Sequence, residues 1–583
     1  MTLSQVFRLA LLFAAVGCSK SAPPDALPAT PVPATSAEPA HSGPPWFRDV
    51  TAMSGIRATC RNGEEADRFT ILESLGAGAA VFDFDGDGRL DVLVVGGGFF
   101  DGPTKTEPKG HPCKLYRNLG GLKFEDVTAT AGLDIPWWYT HGVAVADYDR
   151  DGFPDFVVTG YGRIDLFHNE SDGQGGRKFV AVGEKLGVRD TSWSTSAGWA
   201  DIDGDGFPDL YVCRYCDWSF ANDPICKGQT AGVARDVCPP QKFKPLPHSL
   251  FKNEKGTGFR DVAAAHGFTP AGCGLGVVLA DLNADGKPDV YVGNDATNNF
   301  LFWNRGGKLV ESGVSAGCAL DDSGHYNGSM GVDVGDYDGT GRPSIWVTNF
   351  QGELHALYQN LGGGRFDHRS RGVGVGAAGM ARVGFGTAFT DIDGDGWEDL
   401  IVVNGHVLRH PTAGTQKQLP VLFQNTARDG RRAFADVSDR GGDYFRTAAV
   451  ARGLAVGDLD NDGRPDFVAT TANGPVAVLR NEGVGANPWL GVKLVGKGNR
   501  DVVGSTVTLE GDRRSLARFA KGGGSYLSAN DPRILFGLGT VGKVKRVTVK
   551  WSWGETQTWD TLDAGAYWEL TEGQPAAKKL PAK

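Results

Sequence analysis

The chain has 583 residues, a formal net charge of −10 and 85 glycines. Glycine at that level without a three-residue period excludes collagen, and 10% aromatic content with many short Val/Ile/Leu runs excludes global disorder. The acidic balance excludes a basic surface of the kind that binds nucleic acid, and glycine-rich sequence broken into short β-branched runs predicts an all-β chain with many tight turns.

Residues 1–18 (MTLSQVFRLALLFAAVGC) place Arg8 before an apolar run, Leu9 to Val16, too short to span a bilayer. The segment Ala15-Val16-Gly17-Cys18 resembles a bacterial lipobox, in which Cys18 is lipidated and becomes the mature N-terminus. Ser19 follows in place of the Asp of inner-membrane retention, so an outer-membrane lipoprotein or cell-surface location is expected, with a periplasmic or secreted protein as the alternative. Residues 19–45 are Pro/Ala/Ser/Thr-rich, have almost no large apolar side chain and read as an extended linker.

A nine-residue pattern then recurs seven times, its starts 64, 54, 80, 55, 55 and 67 residues apart. Around each copy run a glycine-rich apolar stretch, the acidic loop, a second apolar stretch, a third ending in Asn (LYRN 115–118, LFKN 250–253, VLRN 478–481) and commonly a fourth of the type FEDVT 124–128. Four short strands per unit, repeated radially, predict a seven-bladed β-propeller over 46–485. The seventh unit lacks its fourth strand, and an orphan copy, Phe47-Arg48-Asp49-Val50-Thr51, stands at the front. The expectation is that this N-terminal strand joins the last blade and closes the ring. Residues 486–572 read as a small β-sandwich-like domain and 573–583 as a tail.

In D-x-D-x-D-G-x-x-D the carboxylates at positions one, three, five and nine converge around a sharp glycine turn, giving the hard oxygen ligands Ca²⁺ prefers. The candidate ligands are Asp83, Asp85, Asp87 and Asp91; Asp147, Asp149, Asp151 and Asp155; Asp201, Asp203, Asp205 and Asp209; Asp281, Asn283, Asp285 and Asp289; Asp336 and Asp338; Asp391, Asp393, Asp395 and Asp399; and Asp458, Asp460, Asp462 and Asp466. About six calcium sites are expected, because the fifth loop has Thr340 and Ser344 where the others have Asp, and reads as weak or empty. These loops hold 25 of the 69 acidic residues; the other 44 face 59 Lys and Arg, so the acidity of the protein resides in the loops.

Strand parity puts the acidic loops at one end of the propeller and the long insertions, 96–114, 213–249 and 404–420, at the other. It also puts the linker and the C-terminal domain at the acidic end. Trp137, Trp138, Tyr139, His141, Trp193, Tyr326 and Tyr444 fall toward the insertion end and form a candidate ligand face; packing between blades is the competing role for each. His406 also lies there, and its spacing from His141 and His325 matches no zinc pattern.

Eight cysteines follow the export signal, an even number that suggests disulfides. Cys213, Cys216, Cys226 and Cys238 lie in one insertion with three connectivities open; Cys60 with Cys113 and Cys273 with Cys318 are the remaining candidate pairs.

The repeats resemble the FG-GAP/VCBS family of propellers, the architecture of the integrin α head. Residues 486–572, with GGGSYLSANDPRILFGLG (522–539) and VKRVTVKWSWGETQTW (544–559), resemble the ASPIC/UnbV domain. The combination is similar to the cartilage acidic protein 1-like family and its bacterial lipoprotein members. This resemblance implies a calcium-binding, extracytoplasmic module for binding or adhesion, tethered to membrane through its N-terminal lipid alone, without enzymatic activity, whose partner is an extracellular protein or glycan. Two alternatives stand beside it. One is a polysaccharide lyase, in which Arg382, Arg452, His141 and His325 would converge on the axial mouth; the other is a scaffold within an envelope complex.

Overall fold

The computed structural model describes residues 43–268, 271–483 and 487–581; the signal segment with Cys18 and linker residues 19–42 lie outside them. No helix among the described residues is long and apolar enough to cross a membrane.

Seven antiparallel sheets carry the seven repeats, each with four propeller strands and the blade-four sheet with a fifth strand added from the C-terminal domain. Blade one shows the pattern: Ala79–Phe82, the acidic loop, Asp91–Val94, Lys114–Asn118 and Phe124–Asp126. The innermost strands of blades two to seven are Thr140–Ala146, Ser194–Ala200, Gly274–Ala280, Val332–Gly335, Gly384–Thr390 and Ala451–Gly457. Each packs beside the next, and Ala451–Gly457 packs beside Ala79–Phe82. The orphan strand Phe47–Asp49 completes blade seven, with Phe47 opposite Asn481 and Asp49 opposite Leu479.

The inner strands are apolar on both faces because blades stack face to face. Val81, Val92 and Tyr116 of blade one meet Ala455, Val468 and Val478 of blade seven, for example, in one buried cluster. A second tie runs at the acidic end. The Asn that ends each third strand is buried, and its side-chain amide donates to the backbone carbonyl of position two in the preceding blade's acidic loop. Asn118 reaches Leu459 at 2.8 Å, Asn169 reaches Phe84 at 2.9 Å, Asn253 reaches Tyr148 at 2.9 Å and Asn304 reaches Ile202 at 2.8 Å. Asn360, Asn425 and Asn481 continue the series to Leu282, Tyr337 and Ile392. The motif read only as a strand end is therefore a ring of pins that passes through every blade junction.

Residues 489–579 form two facing sheets. One contains Trp489–Val495, Ile534–Gly537, Tyr567–Thr571 and Lys578–Lys579; the other contains Thr506–Gly511, Ser515–Phe519, Val544–Lys550 and Thr556–Asp560. Leu490, Val507, Phe536, Val547, Trp551 and Leu570 fill the space between them.

One excursion of this domain, residues 522–531, runs along the propeller axis and bonds to all seven inner strands. Gly522 and Gly523 pair with Leu279 and Val278 of blade four. The Ser525 carbonyl accepts from Val332 of blade five at 3.0 Å, while its hydroxyl accepts from Thr387 N of blade six at 3.2 Å and donates to Leu454 O of blade seven at 2.8 Å. Leu527 N donates to Ser196 Oγ of blade three at 3.0 Å, and Leu527 O accepts from Val143 of blade two at 3.1 Å. Ala529 exchanges bonds of 2.9 and 3.1 Å with Ala79 and Val81 of blade one. The free edges of inner strands carry unpaired N–H and C=O groups, and this segment satisfies them where bulk water would not enter. Ser525 and Leu527 hold φ of 60° and 54°, a conformation side chains rarely adopt, so the plug is shaped by its partners rather than by local preference.

The tip of the plug is sealed from the insertion end. Tyr526 and Leu527 share an apolar cluster with Ile71, Leu72 and Leu75, and with Tyr215, Trp218 and Phe243 of the blade-three insertion. That insertion is stapled by a Cys226–Cys238 disulfide. The Asp236 carboxylate accepts from Arg409 N at 3.0 Å and His410 N at 2.9 Å, locking the insertions of blades three and six together. The insertions are thus an interlocked lid rather than separate free loops.

Cys60, Cys113, Cys213, Cys216, Cys273 and Cys318 are buried free thiols, so two of the four insertion cysteines stand outside the disulfide. Neither expected pair is bonded: Cys60 and Cys113 occupy one apolar cluster as free thiols, and Cys273 lies in the lid cluster while Cys318 lies between blades four and five.

Replacement of fully buried Tyr526 by Ala is expected to cost about 3–5 kcal/mol in denaturant unfolding, whereas exposed Tyr326→Ala stays within about 0.5 kcal/mol. Asn253→Ala leaves the carbonyls of Tyr148 and Pro208 without their donor and is expected to cost about 1–3 kcal/mol by the same measurement.

Candidate metal centres

Each acidic loop is a tight turn that depends on glycine at position six. Gly88, Gly152, Gly206, Gly286, Gly341, Gly396 and Gly463 have φ between 75° and 95°, a region any other residue enters at a cost. The glycine N–H donates to the first Asp of its loop: Gly88 to Asp83 at 2.9 Å, Gly463 to Asp458 at 2.8 Å. Position seven donates to the fifth, as from Arg89 N to Asp87 at 2.9 Å. The ninth carboxylate works as a clasp. Asp91 accepts from Phe84 N at 3.0 Å on one oxygen and from Asn118 N at 2.8 Å on the other, so it ties loop, second strand and third strand together. Asp155, Asp209, Asp289, Asp399 and Asp466 repeat the arrangement.

These bonds aim the remaining oxygens at one another. Ligand atoms of Asp83, Asp85 and Asp91 all lie within 4.8 Å of each other, as do those of Asp147, Asp149 and Asp151, of Asp201, Asp203 and Asp209, and of Asp391, Asp393 and Asp399. Opposite ligands of a Ca²⁺ ion with bonds of about 2.4 Å stand about that far apart. Asp83 Oδ1, Asp391 Oδ1 and Asp460 Oδ1 are buried and accept no hydrogen bond, the condition of oxygens that lack a cation. Burial above all, with a further push from Asp85 and Asp83, raises the Asp91 carboxyl to about 8. Burial likewise raises Asp391 to about 8 and Asp458 to about 7. Carboxylates so crowded hold a proton or a metal, and the donor set fits calcium.

The fifth loop differs as its sequence suggests. Ser344 Oγ accepts the third-strand N–H of Asn360 at 3.2 Å where the other loops use Asp. Thr340 Oγ1 and Gln359 Nε2 donate to Asp338 at 2.8 and 2.7 Å, occupying both of its oxygens. In blade four Asn283 Oδ1 accepts from Asp285 N at 2.9 Å and keeps the place of a third carboxylate.

The residue before the pinning Asn proves to be a second missed component. Gln424 Nε2 donates to Asp393 at 2.6 Å and Arg480 Nε to Asp460 at 2.8 Å, and Lys252 contacts Asp203 in the same way. Each lies over the third position of its own loop. The signal was available as the variable residue in L-Y/F-x-N, present in six of the seven repeats and replaced by Val-Leu-Arg-Asn in the seventh, always on the strand after the one that the acidic motif leads into.

The C-terminal domain sits on this acidic end, as strand parity requires. Tyr567 Oη donates to Asp458 at 2.9 Å, Trp553 Nε1 to Asp201 O at 2.8 Å, and Lys550 Nζ to Ala284 O at 2.7 Å. Thr540 Oγ1 donates to Asp395 O at 2.5 Å, and Arg150 Nε donates back to Gly498 O at 2.9 Å.

Most of the aromatic candidates for a ligand face are not on a face. Trp137, Trp138, Tyr139, Trp193 and His141 are buried; Trp193 Nε1 donates to His141 Nε2 at 2.9 Å, and Tyr139 Oη donates to Asn62 O at 2.6 Å. Packing between blades and lid wins because these flat side chains fill the ends of the inter-blade gaps. Tyr444 is half-buried against Phe445, and Tyr326 is 50% exposed. Of the basic residues weighed for a lyase, Arg452 and His141 sit on inner strands beside the plug, Arg382 is partly exposed and His325 is exposed. Arg452 is buried and donates to Ser74 O and Gly405 O at 2.9 Å, His141 is buried, and the plug fills the space they would have opened into. His406 is buried in the lid, with its Nδ1 accepting from Leu408 N at 2.9 Å.

The chain matches the family described as ASPIC and UnbV over residues 495–577, and the FG-GAP-like repeat over 83–158, 147–212 and 281–347. Cartilage acidic protein 1 of Mus musculus is 25% identical over 485 residues, covering 72% of this chain and 71% of that protein. The Homo sapiens protein is 25% identical over 480 residues, covering 72% and 70%. Integrin alpha-7 of Rattus norvegicus is 30% identical over 155 residues, 25% of this chain and 13% of the integrin chain. Among solved structures, an Agrocybe aegerita lectin that recognises non-reducing terminal N-acetylglucosamine is similar at a TM-score of 0.37 and 15% identity, over 62% of this chain and 81% of that one. The chain is a homologue of cartilage acidic protein 1, built of FG-GAP-like repeats followed by an ASPIC/UnbV domain.

Proposed function

We propose that this chain is an exported binding and adhesion module whose acidic loops hold calcium and whose insertion end engages an extracellular protein or glycan. The observation that carries the reading is the seating of the ASPIC/UnbV domain on the acidic end, which leaves the opposite end free for a partner. The first described residues also lie at the acidic end, where Glu482 N donates to Trp46 O at 2.8 Å. A lipid on Cys18 and the linker behind it would therefore tether the molecule by that side and turn the insertions outward. Calcium acts on the fold: it neutralises carboxylates that already clasp the strands and thereby stiffens the platform.

The docking place we favour is a depression of about 570 Å³ at the insertion end, lined by Arg61, Glu64, Asp67, Phe69, Arg409 and His410 among others. Its floor is prearranged. The Arg409 guanidinium lies 4.3 Å from the Phe69 ring centroid and pairs with buried Glu73 and with Asp67 at 3.1 Å. Asp67 and Phe69 have φ of 51° and 54°, strain of the kind that collects at binding sites. Arg61 is exposed and lines the depression.

Excess EGTA is expected to lower the thermal midpoint substantially, and titration calorimetry to count about six calcium ions per chain. Asp393→Asn should lower the calcium count by one, while Asp338→Asn in the fifth loop should leave it unchanged. Pull-downs and glycan arrays with the full chain should capture a partner in Ca²⁺ and lose it in EGTA or with Arg61→Glu; capture indifferent to both changes would overturn the assignment of the binding face.

A further inference from the structure

The third-strand residue that covers each loop divides the seven sites chemically. In blades three, five, six and seven it is Lys252, Gln359, Gln424 or Arg480, and each presents a nitrogen that donates to a loop carboxylate. An ammonium, a guanidinium or an amide nitrogen offers no lone pair to a metal. Blade two has His168 at this register position, opposite Val180 and next to the pinning Asn169. Its Nδ1 is in hydrogen-bond contact with Asp155 Oδ1 at 3.1 Å and lies 3.6 Å from Asp149 Oδ2; unlike the other nitrogens, an imidazole has a tautomer that presents a lone pair there. One ligand atom from each of Asp149, Asp155 and His168 falls within a 4.8 Å group, and Asp147 and Asp151 join Asp149 in a second such group on the same loop. The imidazole is held edge-on to the Tyr148 ring, with centroids 5.7 Å apart, so its nitrogen stays directed at the carboxylates. Side-chain exposure is 22% for His168 and 24% for Asp149, which leaves the site open to ions from solvent.

We infer that the blade-two loop is a mixed nitrogen–oxygen site, selective for a first-row transition ion such as Zn²⁺, in an array otherwise built for calcium. Calcium takes oxygen ligands, whereas neutral imidazole together with carboxylates suits zinc and its neighbours. His168 Nδ1, Asp149 and Asp155 supply three ligands, and Asp147 and Asp151 lie at hand for the rest. The inference rests on the reading of the loops as metal sites and adds that one of them has a different ion preference.

The test uses the calcium-saturated full chain, Zn²⁺ as the probe, and the His168→Gln variant, which gives blade two the residue that blades five and six already carry. Zinc affinity is read by chelator competition, and its coordination by X-ray absorption. The wild type should bind one Zn²⁺ with an imidazole scattering signature. His168→Gln should remove that signature and weaken zinc by at least about tenfold, the loss seen even for outer partners of metal ligands, while retaining its calcium count. Gln424→His in blade six should create a second zinc site. Zinc binding of equal strength in wild type and His168→Gln, or zinc without nitrogen ligation, overturns the inference and leaves the calcium reading standing. Absence of both calcium and zinc from every loop overturns the two together.

Discussion

Four carboxylates folded into a nine-residue turn set the terms for the rest of this molecule. They repel one another and are partly withdrawn from water, so the turn has to be held by donors on every side. The chain supplies them from the glycine N–H at position six, from the loop's own backbone and from the third strand. The ninth Asp then serves two structures at once, closing the acidic cage and clasping the second and third strands. The pinning Asn carries the same loop's geometry into the next blade. The acidic cluster and blade-to-blade cohesion therefore run through the same few atoms, so a cation held in these loops would act on the fold.

The ASPIC/UnbV domain solves the propeller's other difficulty. Inner strands leave a row of backbone donors and acceptors facing the axis, and a ring open at its centre would have to hydrate them. The segment 522–531 meets all seven strands with backbone atoms, two serine hydroxyls and the Asn530 side chain, and the lid closes over its tip. A centre filled in this way offers no axial crevice for a substrate. At the outer surface of the lid, Cys226–Cys238 and the Asp236 bridge fix the loops in place.

Periodicity made the ring legible before any coordinates. Seven acidic motifs fixed the blade number, and the orphan FRDVT fixed the closing strand, because a missing fourth strand at one end and a spare one at the other have only one economical pairing. The fifth loop's different hydrogen bonding was visible in Thr340 and Ser344. The plug was not visible, because its partners are backbone groups up to about 450 residues away and its own sequence, GGGSYLSAND, has no period that marks an element. The aromatic run Trp137-Trp138-Tyr139 misled for a related reason: residue type shows that a ring needs covering and does not say by what. The pairing of Cys273 with Cys318 failed because one lies in the lid cluster and the other between blades four and five. The Asn pins were printed in every repeat, yet their role depends on the neighbouring blade, which a single repeat does not display.

The strand order carries a consequence for synthesis. Phe47–Asp49 waits for Ala477–Asn481, and the axis waits for residues beyond 520. A chain emerging from its N-terminus can stack early blades against one another, but it has neither its seam nor its centre until nearly all of it has appeared. Truncation near the C-terminus would remove a component of every blade at once rather than the last module alone.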